Sequence, residues 1–167
     1  EWQAREGTPL DRWRVLAGWG LMAYRLTPAQ LEQGIRRLRF PGREAEALRA
    51  VLEVRGKLER LAQPLKPSAV AEHLDPYPLI ALFVVWVAAP PGRARENLFQ
   101  YAHAWRRVRP LLRGDDLRQL GIPPGPAIGE MLRALRAARL DGEVQTREDE
   151  IAFVKARIGA ASGQGSR

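Results

Sequence analysis

Apolar side chains recur along this chain at helical rather than alternating spacing, and prolines and glycines interrupt that pattern at short intervals. No segment shows the alternation that predicts a β-strand. Thr8-Pro9 and Thr27-Pro28 each place an N-cap immediately before a proline at the first helical position. Together with the Pro41-Gly42 break, these pairs predict the first three helices, near residues 9–25, 28–38 and 42–62. The pattern therefore predicts an all-α fold.

The most apolar segment, Leu79 to Ala89, lies between Pro78 and Pro90. It is about half as long as a membrane-spanning helix. We therefore expect a buried core helix here and no membrane partner. Shorter helices are expected after Pro67 and Pro76.

A second apolar stripe predicts a helix from Arg93 to Val108 that packs one face on a core. Its members step by three and four positions: Leu98, Tyr101, Ala102, Trp105 and Val108. On this prediction Arg106, Arg107 and Arg109 crowd the last turn of the helix, where cations complement the helix dipole. RNA contact is the other interpretation of the same cluster, and the two are compatible.

The C-terminal third of the chain predicts a helical hairpin. A Gly- and Pro-rich segment, 121–126, precedes a strong helix from about Ala127 to Leu140, which Asp141-Gly142 ends. Thr146 then begins a last helix. The inward positions of that helix are Ile151, Val154 and Ile158.

These patterns predict three regions. Residues 1–109 form an irregular multi-helix body, and residues 110–158 form a small helical-hairpin tail. The last residues, 159–167, are rich in Gly, Ala, Ser and Gln and are predicted to be disordered.

The charge balance favours a polyanionic partner such as nucleic acid. The chain has 27 Lys+Arg against 19 Asp+Glu, a formal net charge of +8. Only Lys57, Lys66 and Lys155 are lysines, however, and such an arginine skew is equally expected from a GC-rich genome. Charge alone therefore leaves both explanations open.

The absence of cysteine excludes a disulfide framework and a thiolate nucleophile. It also fits a cytoplasmic location. With only His73 and His103, a histidine-built metal site is not expected. Each histidine is predicted to be packed or capping.

The segment from Gly114 onward carries glycines, prolines and leucines at specific spacing. It reads Gly114-Asp-Asp-Leu-x-x-Leu-Gly-Ile-Pro-Pro-Gly-Pro-x-x-Gly, then Leu132-x-x-Leu135, Leu140-Asp-Gly-Glu-Val and Arg147-Glu-x-Glu150. This order resembles the C-terminal signature of the tRNA nucleotidyltransferase and poly(A) polymerase family, which adds CCA or its terminal A to tRNA. The resemblance is densest over 110–158, and residues 1–109 resemble the family's helical body more loosely.

The resemblance implies a body and tail without the family's catalytic head and neck. That head carries an Asp-x-Asp on a sheet to bind two metal ions, and this sequence contains no Asp-x-Asp. The adjacent Asp115 and Asp116 open a short helix, where neighbouring side chains diverge by about 100°. One of them is predicted to be the N-cap.

On this interpretation the chain is inactive alone and holds no cofactor, whereas its parent uses Mg²⁺ with ATP or CTP. Its expected partners are tRNA or other RNA, and the catalytic head and neck of the same parent chain. Whether the parent adds CCA, only A, or poly(A) resides in the head and neck.

The hairpin offers groups suited to an RNA backbone. Gly125 leaves the helix start open, where free backbone N–H groups attract phosphate. Gly129 on the flank of the helix allows close approach, with Arg133 and Arg136 beside it to clasp phosphate. The core face is predicted to be Ile128, Met131, Leu132 and Leu135, and Arg139 points towards it. The predicted RNA-binding residues are Arg106, Arg107, Arg109, Arg113, Gly125, Gly129, Arg133 and Arg136.

The alternative interpretation is a structural helical module. In it the hairpin is rigid only for packing, the charge is incidental, and the exposed faces support a homodimer or contacts between domains. A steep salt dependence of tRNA binding favours the first interpretation, and a stable dimer favours the second.

Overall fold

The computed structural model of the chain describes Trp2 and residues 9–164, with side chains described from Trp2 and from 9–159. Within this part of the chain the fold is all-α, as predicted, and holds no β-strand. The helices are α1 Leu10–Ala23, α2 Pro28–Leu38, α3 Gly42–Gly56, α4 Leu58–Leu61, α5 Pro67–Leu74, α6 Leu79–Ala88, α7 Arg93–His103, α8 Gly114–Gln119, α9 Pro126–Leu140 and α10 Arg147–Gln164.

The described residues divide into two compact units. The first runs to Leu65 and resumes over Val70–Arg106, and the second comprises Lys66–Ala69 and the residues from Arg107 onward. This division falls close to the predicted boundary between body and tail. The return of Lys66–Ala69 to the second unit has no signal in the sequence.

The core of the first unit is built around α6, which packs against α1, α3 and α7. Six of its ten residues are buried: Leu79, Ile80, Ala81, Leu82, Val84 and Val85. The prediction of a buried core helix is therefore confirmed. Among the described residues no single helix is long and apolar enough to cross a membrane; α5 and α6 reach that length only as a bent pair.

The second threonine-proline pair starts a helix as predicted. The Thr27 hydroxyl accepts from the backbone N–H of Gln30 at 3.3 Å, and the Gln30 side chain accepts from the Thr27 N–H at 2.9 Å. This reciprocal pair is a capping box. The corresponding prediction for Thr8 lies outside the described residues, and α1 begins at Leu10 after Pro9.

The helix predicted over 93–108 is shorter in the structure. It ends at His103, because Ala104 adopts φ −120° and ψ −59°, and a 3₁₀ turn, Trp105–Arg107, follows. The buried stripe is limited to Leu98, Tyr101 and Ala102.

This earlier end corrects the interpretation of the arginine cluster. Arg106, Arg107 and Arg109 lie beyond α7 and not in its last turn. Complementing the dipole of that helix is therefore not their role.

The second unit packs α8, α9 and α10 around one apolar cluster. Its buried members are Leu112, Leu117, Ile122, Leu135 and Val154. Ile128, Met131 and Leu132 pack against it from α9, and Ile151 and Ile158 pack against it from α10. The predicted core faces of both helices are confirmed.

Both ends of the α9–α10 connection follow their sequence signals. Gly142 adopts a left-handed φ of +76° just after α9, as expected for a glycine that ends a helix. Thr146 accepts from the Asp149 N–H at 3.1 Å, while Asp149 accepts from the Thr146 N–H at 2.8 Å. The last helix therefore begins where predicted.

The end of α10 differs from the prediction. The helix continues to Gln164, past Gly159, where the sequence predicted a disordered tail to begin. Two alanines in this stretch favour helix, and no proline interrupts it. Residues 165–167 lie outside the described part of the chain.

Candidate nucleic-acid interface

The start of α9 is exposed and shaped by a glycine. Gly125 is the N-cap, with φ +118° and ψ −151°, a conformation that L side chains rarely adopt. Pro126 follows at the first helical position and pre-sets the helical φ. The sequence therefore fixes an open helix start at the surface of the second unit.

One flank of α9 is open to a ligand. Gly129 and Arg133 are one helical turn apart, and both are exposed. A Cβ atom added at Gly129 meets nothing within 4 Å. Among the described residues, Arg133 makes no hydrogen bond or ion pair. This flank therefore places the exposed backbone of Gly129 beside the guanidinium of Arg133.

Arg136 shares the flank but is already engaged. It is half-buried, and its Nε donates to the carbonyl oxygen of Val108 at 3.0 Å. Arg109 donates to the same carbonyl at 2.9 Å. Arg136, which the sequence predicts to bind phosphate, thus holds residues 107–109 beside α9. The exposed side chains of Arg107 and Arg109 therefore lie near the open flank.

Arg113 lies at the start of α8, and the aspartates after it do not act as predicted. The N-cap is Arg113 itself, so neither Asp115 nor Asp116 holds that position. Asp116 is at the third helical position, where its carboxylate accepts the Arg113 backbone N–H at 2.7 Å. Because Gly114 is the first residue of the helix, Asp115 and Asp116 are its second and third residues.

The two aspartates also have separate partners. Arg147 donates to the Asp116 carboxylate at 2.5 Å. Two hydrogen bonds lower the pKa of this carboxyl: the one from the Arg113 backbone N–H has the larger effect, and the one from Arg147 the smaller. Asp115 is exposed and pairs with Arg118. Among the described residues no group of three or more His, Asp or Glu side chains is arranged to hold a metal ion.

Arg106 belongs to the first unit. It donates to the Tyr77 carbonyl at 3.0 Å and lies on the wall of a cleft of about 880 Å³. The cleft mixes charges, since Arg12 pairs with Glu44 there. Of the eight predicted RNA-binding residues, Arg106 thus belongs to the first unit, whereas the other seven belong to the second unit.

A buried ion pair in the second unit was not predicted. Glu150 is fully buried and accepts the backbone N–H groups of Leu111 at 3.0 Å and Leu112 at 2.8 Å. Arg139 donates to the same carboxylate at 3.0 Å, in agreement with its predicted inward direction. The available signal was the Arg147-Glu-x-Glu150 motif, but the partners of Glu150 are distant in sequence.

His103 is packed, as predicted. Its ring stacks on Phe99 with centroids 3.9 Å apart, and its Nδ1 lies 3.0 Å from the Phe99 carbonyl oxygen. Trp2 meets the same imidazole edge-on at 5.3 Å.

Comparison with known proteins finds similarity to tRNA nucleotidyltransferases. Over 141 residues the chain is 34% identical to an A-adding tRNA nucleotidyltransferase of Deinococcus radiodurans, covering 74% of this chain and 32% of the relative. Over 70 residues it is 36% identical to an A-adding tRNA nucleotidyltransferase of Geobacter sulfurreducens, covering 42% of this chain and 8% of the relative. A CC-adding tRNA nucleotidyltransferase of the same species is 50% identical over 48 residues, 28% of this chain and 11% of the relative.

The chain therefore spans a third or less of the length of these relatives. No protein-family model matches it, and no solved structure matches it. The similarities, modest in identity and partial in extent, support the tRNA nucleotidyltransferase family for this chain.

Proposed function

We propose that this chain is the C-terminal, tRNA-binding part of a tRNA nucleotidyltransferase, and that it positions tRNA for addition at the 3′ end by a catalytic head elsewhere in the parent protein. The observation that carries the proposal is the 34% identity to an A-adding enzyme over 74% of this chain. A cytoplasmic location, which the cysteine-free sequence favours, belongs to the same proposal.

The open flank of α9 supports a role in holding RNA. Gly129 allows a sugar-phosphate backbone to approach the helix, and Arg133 stands one turn away with its donors free. Arg107 and Arg109 extend the basic surface next to it, because Arg136 anchors their segment through Val108. Arg136 acts in this proposal as a positioning residue.

Contacts of this kind recognise shape and charge rather than base sequence. Arginines and backbone N–H groups bind phosphates, which are the same in every tRNA. An enzyme that extends many different tRNAs requires such tolerance. We therefore expect tRNA binding that weakens steeply with salt and discriminates little between tRNA sequences.

The test is the affinity of the chain for tRNA at several salt concentrations between roughly 50 and 200 mM. Arg133→Ala removes one phosphate contact and is expected to weaken binding several-fold and to reduce the salt slope by about 1. Gly129→Gln leaves the helix intact, because nothing lies within 4 Å of the new Cβ, and is expected to weaken binding by blocking the flank.

Matched controls separate the site from general charge. Arg60→Ala removes another exposed arginine, from α4 of the first unit, and Gly34→Gln adds the same side chain at a position on α2 where nothing lies within 4 Å of the new Cβ. Both controls are expected to bind tRNA like the wild type. Equal losses in the controls and the α9 variants, or equal binding of duplex DNA, would refute the hairpin as the RNA site.

A further inference from the structure

A shallow groove of about 310 Å³ in the first unit has two aromatic walls. The Trp86 indole comes from α6 and the Phe99 ring from α7, and their centroids are 5.9 Å apart with planes at 35°. Phe99 is 38% exposed and Trp86 is partly exposed. The rings therefore expose apolar surface that a ligand can contact.

Two further rings pack against Phe99 and Trp86. His103 stacks on Phe99 at 3.9 Å, and Trp2 packs against Trp86 at 5.7 Å. Phe99 also lies off the buried stripe of α7, which consists of Leu98, Tyr101 and Ala102. The exposed aromatic surface is thus fixed in orientation, and a ligand that stacks on it loses little side-chain entropy from the protein.

Polar groups with complementary chemistry line the same groove. The Arg95 guanidinium carbon lies 5.0 Å from the centroid of the Trp86 ring. Gln100 offers an exposed amide, and Glu96 a carboxylate, at the rim. Aromatic faces beside an arginine are the combination that binds single-stranded nucleic acid, with the base stacked and the phosphate paired. The Gln100 amide can both donate to a base edge and accept from it, whereas the Glu96 carboxylate can only accept, for example from a base amino group.

We infer that this groove binds an unpaired nucleotide of RNA, with its base against Phe99 and Trp86 and its phosphate on Arg95. The inference rests on the proposed function, which supplies RNA as the partner. It adds a second kind of contact, because α9 offers groups for phosphates whereas this groove offers faces for a base. Bases inside a duplex are already stacked and paired, so the groove selects single strands.

The experiment compares a single-stranded RNA hexanucleotide of mixed sequence with the duplex formed from it and its complement. The wild-type chain is expected to bind the single strand more tightly. Phe99→Leu keeps an apolar side chain but removes the flat face, and is expected to weaken single-strand binding about five- to tenfold. Phe99→Tyr keeps the face and is expected to bind like the wild type, and ultraviolet crosslinks are expected to map to the peptide containing residues 86–103.

The inference is overturned if the wild type does not bind the hexanucleotide, if Phe99→Leu binds it as tightly as Phe99→Tyr does, or if the crosslinks map elsewhere. Matching circular dichroism spectra of both variants establish that the fold is intact. The tRNA titration of Arg133→Ala decides the proposed function separately. Loss of tRNA binding in that variant together with unchanged hexanucleotide binding in Phe99→Leu defeats the groove alone.

Discussion

At the scale of single residues, Glu150 joins parts of the second unit that are distant in sequence. Its carboxylate is fully buried, and it satisfies two backbone N–H groups and one arginine. Removal of one partner from a buried, hydrogen-bonded ion pair leaves the others unsatisfied, at a cost of about 3–5 kcal/mol. We expect Glu150→Ala to lower the free energy of unfolding of the second unit by that amount.

Amide hydrogen exchange in α9 and α10 measures this loss. Tryptophan fluorescence does not report on the second unit, because every tryptophan of the chain lies in the first unit. Glu148→Ala is the matched control, since it removes an exposed carboxylate from the same helix. If the two variants exchange equally fast, the buried carboxylate does not stabilise the unit.

Asp116 links the stability of α8 to pH. Its folded pKa is lowered, first by the Arg113 backbone N–H and then by Arg147, relative to an unfolded value of about 3.9. A lowered folded pKa stabilises the protein above the unfolded pKa, and this contribution is lost as pH falls through the folded pKa. Asp116→Asn should therefore be less stable than the wild type at pH 7, and the two should converge as pH falls below about 4.

Urea unfolding followed by circular dichroism from pH 7 to pH 3 tests this convergence. Asp115→Asn serves as the control, because the exposed Asp115 carboxylate pairs with Arg118, whereas it is Asp116 that accepts the Arg113 backbone N–H at the helix start. A stability difference for Asp116→Asn that stays constant with pH would show that the charge of Asp116 is not the cause.

At the scale of the helix, contact between α1 and α6 depends on a glycine. A Cβ added at Gly20 would lie 2.6 Å from Val84 Cγ2, and Val84 is fully buried on α6. Gly20→Ala is therefore expected to destabilise the first unit by about 1–3 kcal/mol through overpacking. Tryptophan fluorescence during urea unfolding reports it, since Trp13 and Trp19 lie on α1.

Gly18 gives the opposite expectation in the same helix. Nothing lies within 4 Å of a Cβ at Gly18, so Gly18→Ala is expected to stabilise by up to about 1 kcal/mol through helix propensity. If Gly20→Ala were as stable as Gly18→Ala, the close approach of α1 to α6 would not exist.

Helix starts were predictable because their causes are local. Thr27-Pro28 and Thr146 cap helices through groups a few residues away, and the structure contains both caps. The core face of α9 was equally readable, since Ile128, Leu132 and Leu135 recur at helical spacing. Local chemistry and periodicity thus account for these helix starts and for the core face of α9.

The remaining features depend on contacts that are distant in sequence. Arg136 donates to the Val108 carbonyl, and Glu150 accepts from Leu111 and Leu112. The sequence has no local pattern that predicts either contact. The aromatic groove was also missed. Its one signal was Phe99, a large apolar residue off the stripe that predicted α7.

For the whole molecule, the proposed function predicts competition for tRNA. If this chain, with its net charge of +8, binds tRNA as proposed, it should compete for tRNA with a tRNA nucleotidyltransferase of the kind it resembles. We expect excess chain to slow AMP incorporation into tRNA and to raise the apparent KM for tRNA while kcat stays unchanged.

Rates measured over a range of tRNA concentrations test this competition, with Arg133→Ala expected to inhibit less and Arg60→Ala expected to inhibit like the wild type. Sequestration of substrate is relieved by more tRNA. Inhibition that persists at saturating tRNA would instead mean that the chain contacts the enzyme itself. That result would favour the structural module, whose exposed faces serve self-association or contacts between domains, over the tRNA-binding role.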